Sequence, residues 1–156
     1  MDRKAMMEAM TTSISEVLET MFFMPVDVTS PENDGADLPP VAEGICAKLD
    51  FTGPAQGSVM LQVPAPLAIE ISADFMGVDP ALVTPQQRTE TVAEMVNMLT
   101  GNTLSVYDPH AVFDLGVPFV LASDQNYSRA LDQGSHICLI LNTMDNRMVM
   151  TVAWRE

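Results

Sequence analysis

Apolar residues recur at spacings of three and four through residues 4–23, at Met6, Met10, Ile14, Val17, Leu18, Met21 and Phe22. That period predicts an amphipathic helix. Pro25 ends it, because proline cannot continue a helix interior. Residues 26–40 read as a loop: TSPENDGADLPP carries three prolines and almost nothing to bury. The period then changes to two. VAEGICAKLDF alternates through Ile45, Ala47, Leu49 and Phe51, GPAQG has turn composition, and GSVMLQVP reads as the return strand. Residues 66–76 predict a short helix, with Pro66 near its start and Gly77 just after its end. GVDPALVTPQQ reads as a second loop, and residues 86–107 carry the longest helical pattern. Three strand segments close the chain: FDLGVPFVLAS, SHICLILNT and RMVMTVAWRE, the last two joined by a turn at Met144-Asp145-Asn146.

The element order is therefore α-β-β-α-α-β-β-β. Consecutive strands with short turns favour antiparallel pairing. The expected fold class is α+β: an antiparallel sheet packed against helices grouped on one side, with residues 1–156 forming one domain.

On a helix of about 100° per residue, Val92, Met95, Val96, Leu99, Thr103 and Val106 fall on one arc, wide enough to be a core stripe. Glu90, Glu94, Asn97, Gly101 and Ser105 lie opposite. Glu94 and Asn97 are three apart, so their side chains are neighbours. Asparagine in a helix interior costs roughly 0.5 kcal/mol against alanine, and glycine about 1 kcal/mol. Nothing in the core stripe requires either residue. Two helix-weakening residues on one exposed face suit a partner surface, but periodicity alone is met more simply by a solvated polar face with an incidental asparagine.

Composition narrows the alternatives. The chain has 156 residues, 47% of them hydrophobic, enough for a packed core. Its 7 basic against 21 acidic residues give a net charge of −14. Such a chain repels phosphate backbones and anionic lipid, so nucleic acid and membrane are poor partners. An acidic surface keeps a protein soluble and favours partners with exposed lysines. No apolar run approaches the roughly 20 residues of a membrane span. The N-terminus has no apolar stretch of signal-peptide type. Cys46 and Cys138 lie far apart in strand-like segments and read as buried free thiols, which fits a cytoplasmic location. His110 and His136 have no metal-ligand spacing with either cysteine. There is no Gly-x-Ser-x-Gly elbow and no phosphate-cradling glycine loop. The thirteen methionines fall mostly at core spacings and read as plastic packing. Trp154 and Phe119 read as core or dimer-interface residues.

The segment Glu94-Met95-Val96-Asn97-Met98-Leu99-Thr100-Gly101-Asn102 resembles the signature helix of the CheC/CheX/FliY chemotaxis phosphatases: Glu-x-x-Asn, an apolar pair, then Gly-Asn. Ser15-Glu16-Val17-Leu18-Glu19-Thr20-Met21-Phe22 is similar to the first helix of CheX proteins, and the element order is also CheX-like. The resemblance implies hydrolysis of the aspartyl phosphate of a CheY-type response regulator. It implies that Asn97 places the water and Glu94 pairs with a lysine of the regulator, with Glu90, Met98, Gly101 and Ser105 completing the partner surface. It further implies that Mg2+ sits in the partner receiver domain and that this chain binds no cofactor. The alternative is a binding module of the same fold that docks a receiver or another signalling protein without useful turnover. Asn102 falls about 80° around from Glu94 and reads as a structural helix-end or hydrogen-bonding residue, not a reactive one.

Aligning Ser15–Met21 with Ala93–Leu99 places Glu16 on Glu94 and Glu19 on Asn97. The domain then looks like two related halves, although short amphipathic helices also resemble one another by chance. With Glu19 in place of the amide, one helix per chain carries the pair. That favours the CheX branch, whose one-site subunit implies a homodimer.

Overall fold

The computed structural model describes residues 1–30, 44–121 and 134–155. The loop expected over 31–40, the start of the first strand segment at 41–43, the end of the third at 122–123 and Glu156 lie outside them.

Three helices follow the three helical periods. Helix α1 spans Arg3–Met21 and starts at Asp2, whose carboxylate accepts from the Lys4 backbone N–H. Helix α2 spans Ala65–Met76 and stops at Gly77, which takes the left-handed conformation (φ 68°) and returns its N–H to the Ala73 carbonyl. Helix α3 spans Pro85–Tyr107. Its start is fixed reciprocally: the Gln87 N–H donates to Thr84 Oγ1 at 3.1 Å, and the Thr84 N–H donates to Gln87 Oε1 at 3.0 Å. With Pro85 at the first helical position, this capping box satisfies donors a helix start would otherwise leave unpaired. A single 3-10 turn, Pro80–Leu82, occupies the expected loop before it.

Among the described residues the sheet has seven strands: β1 Asp27–Thr29, β2 Gly44–Thr52, β3 Gln56–Pro64, β4 Asp114–Leu115, β5 Phe119–Val120, β6 Ser135–Asn142 and β7 Arg147–Arg155. Their order is β1-β6-β7-β3-β2-β4, with β5 also on β2, and every pairing is antiparallel. Two expectations are corrected. Residues 27–29 belong to an edge strand on β6, not to the loop expected from residue 26; only three residues pair, too few to show a period. The segment from Phe113 is not one strand: Gly116 to Pro118 interrupt it, and two short pieces lie on the edge of β2.

One core joins the helices to alternate strand residues. Met6, Met10, Ile14 and Leu18 of α1, Leu67, Ala68 and Ile71 of α2, and Val92, Met95, Val96 and Leu99 of α3 meet Ala47, Leu49, Phe51, Val59, Leu61, Val63, Met150 and Val152. Fully burying such a side chain contributes about 1.5–3 kcal/mol. The intervening residues of the central strands, Met60, Val149 and Thr151, are buried as well. Burial on both faces explains why β3 and β7 read as continuous apolar runs where β2 alternates. Trp154 is in this core. Phe119 is not; it is exposed on the edge, with the Lys48 ammonium 5.8 Å from its ring centre. Val106 also leaves the expected arc and is exposed, while Leu104 is buried in the last turn. Among the described residues, no helix is long and apolar enough to cross a membrane.

Candidate functional site on helix α3

The core contacts of Val92, Met95, Val96 and Leu99 fix the rotation of α3, so the opposite face points outward. Glu94 is exposed and Asn97 is half-buried, one turn apart on that face. Among the described residues neither side chain has a hydrogen-bond or ion-pair partner, so both are free to engage another molecule. Glu90, one turn earlier, is exposed and accepts from Gln86 Nε2 at 3.0 Å. Ser105 is exposed, and Gly101 is half-buried between it and Asn97. Met98 divides its surface: it is half-buried and packs against the core, leaving an apolar flank beside Glu94.

Gly101 is not demanded by packing. Among the described residues, a Cβ there would meet only Leu115 Cδ1, at 3.7 Å, an ordinary van der Waals distance. The helix thus carries a residue costing about 1 kcal/mol against alanine where the fold would accept alanine. What the glycine gives is a low surface one turn beyond Asn97.

Asn102, the last residue of the signature, points elsewhere. Its Nδ2 donates to Ser13 Oγ and to Glu16 Oε2, each at 3.1 Å. The fully buried Ser13 hydroxyl in turn donates to the Leu99 carbonyl at 3.3 Å. Asn102 therefore ties α3 to α1. Glu16 accepts from this strut, and Glu19, also exposed, carries no amide.

The last turn of α3 opens into a cleft that residue patterns did not announce. The Asp108 N–H closes the helix on the Leu104 carbonyl at 3.0 Å. Asp108 Oδ1 accepts from the His110 N–H at 3.1 Å, and the chain turns back at Pro109. It is then held to the sheet edge by the Gly116 N–H on the Asp50 carbonyl at 2.7 Å and by Phe113, edge-on to Phe51 at 6.0 Å. Between this return segment and the helix lies a cleft of about 320 Å³, lined by Gly101, Leu104, Ser105, Asp108 and residues 109–115 except His110 and Asp114.

Neither cysteine offers reactive chemistry. Cys138 is buried with its sulfur 3.2 Å from Thr151 Oγ1. Burial pushes the Cys46 thiol up to about 11, against a smaller opposing pull from Lys48.

Comparison with known proteins gives this geometry a family. No curated protein sequence matches the chain. Its fold is similar to a CheC-like superfamily protein from Shewanella sp. PV-4, with a TM-score of 0.77 and 19% identity over 100% of both chains. It is similar to the chemotaxis protein CheX from Vibrio vulnificus, with a TM-score of 0.76 and 20% identity over 96% of both chains. The CheX-CheY-BeF3-Mg2+ complex from Borrelia burgdorferi matches at a TM-score of 0.76 and 18% identity, over 96% of this chain and 97% of that one. The model of the family described as chemotaxis phosphatase CheX matches residues 45–142, a span that includes the helix bearing Glu94, Asn97 and Asn102. The chain belongs to the CheX family of chemotaxis phosphatases.

Proposed function

We propose that this protein hydrolyses the aspartyl phosphate of a CheY-type response regulator, with Asn97 placing the attacking water and Glu94 holding the partner. The observation that carries the reading is the uncommitted pair: an acid and an amide, neighbours on an outward helix face, neither with a partner among the described residues. The Borrelia burgdorferi complex supports it, because there a protein of the same fold is bound to CheY.

In the reaction a water oxygen attacks phosphorus in line as the bond to the aspartyl oxygen breaks. The aspartate leaves as a carboxylate and the phosphoryl group leaves as inorganic phosphate. The step requires positioning and charge stabilisation more than covalent chemistry from the protein. A neutral amide both donates and accepts, so Asn97 orients a water without adding negative charge near the phosphoryl oxygens. A carboxylate there would repel them. Glu94, exposed one turn before it, is placed to pair with a lysine of the receiver and set the helix over the phosphate. Mg2+ belongs to the receiver's acidic pocket in this reading, and the protein acts as a homodimer with one such helix per chain.

The test is the lifetime of CheY-type receivers phosphorylated with acetyl phosphate and Mg2+, measured with and without this protein. Catalytic shortening is expected. Binding to the phosphorylated receiver with no change in its lifetime would leave a docking module and refute the phosphatase reading.

A further inference from the structure

We infer that the cleft at the C-terminal end of α3 is a second docking subsite for the same receiver, taking an apolar side chain flanked by a lysine or arginine. This rests on the phosphatase reading of Glu94 and Asn97. Three observations lead to it. The first is continuity. Gly101, Ser105 and Asp108 line the cleft and project on the same side of α3 as Glu94 and Asn97. At about 1.5 Å per residue the cleft opens roughly 6 Å beyond Asn97. A receiver with its phosphate over Asn97 therefore covers it.

The second is chemistry. Leu104, Val112, Phe113 and Leu115 supply apolar walls, and Asp108 supplies a carboxylate to the lining. Asp108 uses Oδ1 on its own turn, and among the described lining residues no lysine or arginine neutralises it. The chain as a whole carries a net charge of −14. A cationic segment is attracted to such a rim and an anionic one repelled. The volume, near the lower end of the roughly 300–1,000 Å³ of ligand sites, suits one or two side chains.

The third is exposure that the fold does not explain. Val112 is 78% exposed at the cleft wall, and Leu115 is 39% exposed beside it. Gly101 keeps the floor low although alanine would fit. The subsite sets which receiver is accepted, whereas Glu94 and Asn97 address features shared by every phosphorylated receiver.

The test uses the full chain with Asp108→Asn, which keeps the oxygen that caps the turn and removes the charge, and Val112→Lys, which places a cation at an exposed wall. Turnover of CheY-type receivers phosphorylated with acetyl phosphate is measured across a salt series, with circular dichroism to verify folding. Each variant is expected to raise KM by about tenfold while kcat stays within about twofold, and Asp108→Asn is expected to flatten the salt dependence of kcat/KM. An unchanged KM and salt slope, with wild-type turnover intact, overturns the subsite and leaves the phosphatase reading standing. If wild type binds the receiver without turnover, the phosphatase reading alone has failed. Affinity then replaces KM: weaker binding by both variants supports the subsite, and unchanged binding overturns it.

Discussion

Helices α1 and α3 carry polar pairs at the same spacing, Glu16/Glu19 and Glu94/Asn97, and the fold uses them differently. Glu16 is spent on the strut from Asn102, which also holds the buried Ser13 hydroxyl. Among the described residues, Glu94 and Asn97 hold nothing. The comparison teaches that a matched spacing does not make a matched site. What separates the two faces is that Glu16 is already paired with Asn102, and that α3 has the amide of Asn97 where α1 has Glu19.

Paired substitutions put this contrast to the proof. The largest difference is expected between Asn97→Ala and Glu19→Ala. The first should cut receiver dephosphorylation by roughly 10²-fold or more, the scale of losing a positioned reacting water; the second should leave it within about twofold. Equal losses from both would erase the distinction between the helices. Asn97→Ala should also keep or slightly raise stability, by about 0.5 kcal/mol, since alanine is the better helix former. A lower melting temperature would mean that Asn97 is structural.

Next come the two glutamates. Glu94→Ala should raise KM for phosphorylated receiver about tenfold, the size of one exposed charge-assisted contact. Glu16→Ala should spare KM and lower unfolding free energy by about 0.5–1.5 kcal/mol, the net worth of one hydrogen bond. Steady-state kinetics beside urea unfolding separates them. Asn102→Ala removes both bonds of the strut and should cost about 1–2 kcal/mol in the same urea experiment. If it abolishes turnover without changing stability, Asn102 is part of the reactive site and not of the frame.

The smallest effect is expected at Gly101. Gly101→Ala should stabilise the protein by up to about 1 kcal/mol, because the added methyl meets only Leu115 at ordinary contact distance. Receiver affinity should fall in the same variant if the low surface serves partner approach. A gain in stability with unchanged affinity would leave the glycine without a role in docking.

The division of labour between chain and fold follows from these residues. The core stripe of α3 was legible because burial follows a 3.6-residue period, and with it the outward orientation of Glu94 and Asn97. The Glu-x-x-Asn…Gly-Asn signature was legible as well, since its parts lie within two and a half turns of one helix. The expected helix begins at residue 86, one residue after the observed start at Pro85, because the Thr84/Gln87 capping box reads as the end of the preceding loop. Strand β1 was not legible, because three residues show no period and its partner β6 is over a hundred residues away. Val106 was misplaced because in the last turn burial depends on what lies beside the helix, not on the stripe begun earlier.

By itself, then, the sequence determined the helices, the long strands and the outward polar face of α3, all set by local periodicity and short-range spacing. Only the tertiary structure decided that Asn102 would reach Ser13 and Glu16, and that residues 109–115 would fold back to form a cleft beside Gly101. Those contacts join segments distant in the chain, and their geometry follows from how helices and sheet pack, which no local pattern records.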